Sequence, residues 1–216
     1  MHRFAVILTG LLVFAYGSVA LAEDDQEKDF LEAAIYGGLS APIGGINNWQ
    51  DTLKAKSGFN VGLDIGYFMT ANFVLGLTFS YHQFKIDAIN EAQYMNHRLY
   101  NPAVYAKYYF FSTSKLAPYI RGQAGVDNPK FATEVLDGGV AKFRELSYGP
   151  AFAIGGGGGL FYYTSDVSGF FIEANVHHAF AETVTATYQN TAYTFGSSST
   201  VLDLHAGVAM YFGSGK

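Results

Sequence analysis

Cysteine is absent from all 216 residues. No disulfide framework, thiol nucleophile, thiolate metal site or lipid-bearing cysteine can therefore be built. Charge is also scarce: Asp, Glu, Lys and Arg make up 14% of the chain, against about a quarter in an ordinary soluble domain. The net charge of −5 leaves out the basic surface that nucleic acid requires. A helix-length apolar run is missing too. The N-terminal one, Phe4–Tyr16, has 13 residues, short of the roughly 18 to 20 needed to cross hydrocarbon.

That short run has another use. His2 and Arg3 precede it, and Ala20-Leu21-Ala22 follows with the small-x-small pattern that signal peptidase reads. Residues 1–22 are therefore expected to be a signal peptide, removed on export. Residues 23–30 follow as a short, solvated, acidic lead-in carrying Glu23, Asp24, Asp25, Glu27 and Asp29.

What the chain has in quantity is aromatic residues, at 17%, and glycine, at 25 residues. Eight segments alternate strictly or nearly so: 31–41, 59–68, 73–83, 99–111, 118–126, 148–163, 170–179 and 200–212. A period of two is the mark of a strand with unlike faces. In the second, Phe59, Val61, Leu63, Ile65 and Tyr67 oppose Asn60, Gly62, Asp64 and Gly66. The sixth has the weakest pattern, because Gly155–Gly159 carry none. Those glycines lack the Gly-Lys-Ser/Thr ending of a phosphate loop and are expected to give room to bulky neighbours.

Connections alternate in length. Residues 69–72, 112–117 and 164–168 make short turns, whereas 43–57, 85–98, 127–147 and 181–199 make long polar loops. This is the layout of an all-β, eight-stranded, antiparallel up-and-down transmembrane β-barrel over residues 31–212. Turns and both chain ends then lie on the periplasmic side. Residues 213–216 form a C-terminal tail.

Alternation by itself also suits a soluble, lipocalin-like barrel with its apolar face inside. Aromatics at the short turns decide between the two. Tyr67, Phe73, Tyr108, Phe110, Tyr162, Phe170 and Phe212 gather at one level, as an interfacial girdle does. Tyr109, Tyr119, Phe161, Phe171 and Tyr211 crowd the same turns. Glu32, Asp64, Lys107, Arg121, Glu173 and Asp203 all lie opposite the apolar set. In lipid that face is the lumen, since Lys or Arg facing the bilayer midplane costs about 2–4 kcal/mol. Arg98 and His178 depart from this rule but lie near loop ends.

Gly37-Gly38-Leu39-Ser40-Ala41-Pro42, Gly66-Tyr67-Phe68, Lys107-Tyr108-Tyr109-Phe110, Pro118-Tyr119-Ile120 and a last strand ending in Phe212 carry a resemblance. The chain resembles the small outer-membrane β-barrel family of OmpA-, OmpX- and opacity-like proteins. The resemblance implies the outer membrane of a Gram-negative-type bacterium, lipid as the surrounding partner, and assembly machinery reading the last strand. It marks a fold and no activity. One departure is that Gly213-Ser214-Gly215-Lys216 follow the terminal aromatic.

An eight-stranded lumen is just wide enough for side chains to fill. Four acids and two bases inside are expected to pair into an ion-pair plug, with a narrow small-solute or ion pore as the alternative. Ser80, His82, His177, His205 and Asp203 include the groups of a serine–histidine–acid hydrolase. The His-x-Ser arrangement of the lipid A deacylases is absent, since His178-Ala179-Phe180 stands where it is sought. No catalytic, cofactor-binding or metal-binding residue is assigned. His177 and His178 are adjacent, so on a strand they face opposite ways and make a poor metal pair. Thr183, Thr185 and Thr187 alternate with Val184, Ala186 and Tyr188, followed by Gln189-Asn190 and the run Thr191–Phe195, which predicts that the seventh and eighth staves continue above the membrane as a hairpin. Its exposed edges suit an extracellular ligand. The reading is a monomer with a surface-binding, adhesive or envelope-stabilising role.

Overall fold

The structure, a computed structural model, describes residues 31–43, 55–86, 95–110, 115–137, 140–147, 150–180, 184–188, 191–195 and 198–213. The expected signal peptide, the lead-in, Phe111 and residues 214–216 of the tail lie outside the described residues. Among the described residues eleven strands follow in chain order. They are β1 (Leu31–Pro42), β2 (Ala55–Phe68), β3 (Phe73–Ile86), β4 (Met95–Tyr109), β5 (Leu116–Asp137), β6 (Val140–Ser147), β7 (Ala151–Ser165), β8 (Ser168–Phe180), β9 (Val184–Tyr188), β10 (Thr191–Phe195) and β11 (Ser199–Phe212).

Eight of these are staves of one antiparallel barrel, in the order β1, β2, β3, β4, β5, β7, β8, β11. The barrel closes where the first and last staves pair, from Leu31 opposite Phe212 to Pro42 opposite Val201. Closure satisfies every stave on both edges, which is what lets a sheet sit in hydrocarbon. The short turns are fastened locally. Thr70 Oγ1 accepts the amides of Asn72 and Phe73 at 3.3 and 3.1 Å, and Tyr211 N donates to Val167 O at 2.9 Å.

The two faces differ as alternation requires. Along β8 every other side chain is buried, and Ile172 between them is 59% exposed. Ile35, Leu39, Leu77 and Leu204 are likewise turned outward, at 52–67% exposure. The lumen instead holds Glu32, Asp64, Lys107, Arg121, Asp203 and a series of Asn, Ser and His residues, all buried. A water-soluble barrel has the opposite arrangement. An apolar exterior around a charged interior is stable only when the surroundings are lipid.

Several strands outrun their alternating segments. β5 continues to Asp137 and β6 pairs back along it, Lys130 opposite Ser147 through Asp137 opposite Val140. Within the stretch 127–147, expected as a polar loop, residues 130–137 and 140–147 are thus paired strands that extend the wall. Above a bilayer both faces of a strand meet water, so the ladder persists while the apolar alternation is lost. The residues expected to continue the last two staves as a hairpin pair with each other as β9 and β10, Thr191 opposite Tyr188, but among the described residues they form a two-stranded sheet of their own and not an extension of β8 and β11.

Aromatics at the turn end divide between the two faces. Tyr67, Tyr108, Phe110, Tyr162, Phe170 and Phe212 are 41–56% exposed, and Phe73 is half-buried. Tyr109, Tyr119, Phe161, Phe171 and Tyr211 point inward and form a buried cluster. Crowding at the turns therefore reflects an outer ring and an inner plug together, because adjacent strand residues face opposite ways.

Candidate functional site: a two-tier lumen

The lumen is polar in two tiers. The inner tier, toward the turns, contains five of the six charges singled out from the sequence. Lys107 Nζ donates to Glu32 Oε1 at 2.6 Å, and Tyr109 donates its hydroxyl to Glu32 Oε2 at 2.9 Å. Rings of Tyr105, Tyr109, Tyr119 and Phe171 surround the ammonium at 5.2–5.7 Å. Arg121 forks onto Asp64, Nη1 to Oδ2 at 2.6 Å and Nη2 to Oδ1 at 3.1 Å. Its Nη1 lies 3.8 Å from Glu173 Oε1, while Tyr119 donates to Glu173 Oε2 at 2.8 Å.

Glycines on the same strands make room for this tier. A Cβ on Gly159 would stand 2.6 Å from the Tyr119 ring, and Tyr105 closes on Gly66 and Gly76 in the same way. The run in β7 that carried no strand pattern is thus part of how large rings fit a narrow barrel.

The outer tier holds the sixth charge, Asp203, among groups the sequence reading did not join. Ser40 donates a short hydrogen bond to Asp203 Oδ1, and Asn60 Nδ2 donates to the same oxygen at 3.1 Å. His82 Nδ1 is 3.3 Å from Asp203 Oδ1, and His177 Nδ1 is 3.8 Å from Oδ2. Asp127, the first residue of the stretch expected as a loop, is buried here. It contacts His177 Nε2 at 2.9 Å and accepts from Asn101 Nδ2 at 2.5 Å. Phe84, Leu99 and Val201 form a fully buried apolar layer one interior step further out.

Two chemical arrangements are present in the outer tier. Ser80 Oγ lies 3.0 Å from His82 Nε2, and His82 Nδ1 faces Asp203, the connectivity of a serine–histidine–acid relay. Around Ser80 the chain is laddered to β2 on one side and β4 on the other, the setting of a strand interior rather than of an oxyanion hole. His82, His177 and Asp203 also place one ligand-type atom each within 4.8 Å of one another. His177 and His178 do face opposite ways. His178 is turned outward, where its Nδ1 meets Thr200 Oγ1 at 2.8 Å. What sequence spacing missed is that the groups meeting His177 are Asp127 of β5, 50 positions earlier, Asp203 of β11 and His82 of β3.

No family model matches the chain, and no curated protein does. Solved structures do. A major outer membrane protein from Thermus thermophilus is 10% identical, with 84% of this chain and 99% of that chain covered and a TM-score of 0.54. The outer membrane protein OprG from Pseudomonas aeruginosa is 15% identical, with 88% and 100% covered and a TM-score of 0.50. Neisserial surface protein A is 17% identical, with 85% and 97% covered and a TM-score of 0.49. At these identities the likeness is one of fold. The fold is that of the small outer-membrane β-barrels, and the apolar exterior is the face such a barrel turns to lipid.

Proposed function

We propose that this outer-membrane barrel is a closed, non-enzymatic scaffold that binds at the cell surface through hairpins standing above the membrane. The observation that carries the reading is the pairing of β5 with β6 over eight residue pairs. Among the described residues, β6 pairs with β5 alone, so its other edge can add a strand from a partner. β9 and β10 make a second such element. The inner tier favours a plug over a pore, because Lys107 and Arg121 each reach an acid at 2.6 Å inside a ring of tyrosines.

Replacing residues 131–146 and 184–195 with short turns should abolish adhesion of displaying cells to an immobilised host-matrix extract. The truncated barrel should still insert and fold. Adhesion unchanged by both deletions would sink the surface-binding reading. Planar bilayers separate the pore alternative: the intact protein should give no conductance steps above leak. Regular cation-selective steps would favour the pore instead.

A further inference from the structure

We propose that the outer tier of the lumen is a binding site for one divalent transition-metal ion of the zinc class, held by His82, His177 and Asp203. The three side chains come from β3, β8 and β11 and are 2–4% exposed. In a tetrahedral zinc site with ligand bonds of about 2.0–2.1 Å, donor atoms stand about 3.3 Å apart. His82 Nδ1 and Asp203 Oδ1 already have that spacing, at 3.3 Å. His177 Nδ1 lies 3.8 Å from the other carboxylate oxygen, Oδ2, and one donor atom from each of the three residues falls within 4.8 Å of the others, so the cluster tightens around an entering ion.

The groups behind the ligands are arranged as a metal requires. A metal-bound imidazole donates its other ring N–H to a carboxylate, carbonyl or similar acceptor, which fixes the tautomer. His177 Nε2 has Asp127 at 2.9 Å, and His82 Nε2 has Ser80 Oγ at 3.0 Å. With both outer nitrogens protonated, each Nδ1 presents a lone pair toward Asp203. That carboxylate is itself oriented by Ser40 and Asn60. Three protein ligands leave a fourth position, which Ser40 Oγ, 3.1 Å from His82 Nδ1, or a water can take.

Charge points the same way. With neutral imidazoles Asp127 and Asp203 bring two negative charges into a buried volume, and Lys107 and Arg121 are committed to the inner tier. A divalent cation balances them. Imidazole and carboxylate donors without sulfur suit zinc, copper or nickel rather than magnesium or calcium. The apolar layer of Phe84, Leu99 and Val201 stands between this centre and the outer mouth, so the ion exchanges slowly once the barrel has formed.

The test uses tag-free protein purified from membranes into detergent, unfolded with chelator and refolded with Co2+ alone. One tightly held equivalent per chain is expected, with visible absorption bands of a low-coordinate N/O site that Zn2+ abolishes. His82→Gln and His177→Gln should lose the bands, whereas His97→Gln and His205→Gln should keep them. Asp127→Asn should weaken binding about 10- to 100-fold. Absence of tight Co2+, or bands indifferent to the first two substitutions, would overturn the site and leave a cluster held by hydrogen bonds and ion pairs. Where a variant fails to fold, Cu2+ bound to the unaltered protein still decides. Paramagnetic coupling to two imidazole nitrogens supports the site, and coupling to none overturns it.

Discussion

At the scale of single residues, Arg121 is held on both sides, and each contact depends on another. Its fork onto Asp64, its approach to Glu173 and its seat 4.5 Å from the Tyr105 ring all use a planar group. Arg121→Leu leaves two acids without their cation, and breaking a buried pair in this way costs about 3–5 kcal/mol. The urea midpoint of the refolded barrel should fall accordingly. An unchanged midpoint would mean that the charges act independently. Arg121→Lys should recover only part of the loss, because an ammonium cannot fork. Gly159 gives a second test. A Cβ there presses on the Tyr119 ring, whose hydroxyl serves Glu173. Gly159→Val should destabilise by about 1–3 kcal/mol, as overpacking generally does.

Single strands show where lipid ends. β2, β3 and β4 begin or finish several residues beyond their alternating segments, at Ala55, Ile86 and Met95. β5 runs for 22 residues, about twice what a tilted stave needs to cross hydrocarbon. Its outer half, with β6, therefore belongs above the membrane. Protease added to intact cells should cut at the β5–β6 or β9–β10 connections and leave residues 112–117 whole. Fragments mapped by mass spectrometry give the answer, and a cut at 112–117 from outside would invert the topology.

For the whole molecule, the decisive property is which face meets hydrocarbon. Leu63, Leu77, Ile172 and Leu204 are 47–64% exposed around the barrel, whereas their strand neighbours Asp64, Thr78, Glu173 and Asp203 are buried. Because the chain has no cysteine of its own, spin labels can be placed singly at the first four. Relaxation should be enhanced more by lipid-soluble oxygen than by a water-soluble nickel chelate. Equal accessibility to both, or a barrel that stays folded and soluble without detergent, would remove the membrane assignment.

The eight staves and the side of each strand that carries charge were legible in the sequence, because a period of two is local and survives without its neighbours. The crowding of aromatics at the turns was visible too, but not its division between an outward and an inward set. The pairing of β6 with β5 was not legible, since a strand outside the bilayer is under no requirement to alternate. Nor was the outer-tier cluster. Asp127 read as the start of a loop, and His177 was judged beside His178 when its partners lie on β3, β5 and β11. Which side chains meet across a lumen depends on register and closure. Those are set by ladders joining residues far apart in the chain, and only the folded barrel decides them.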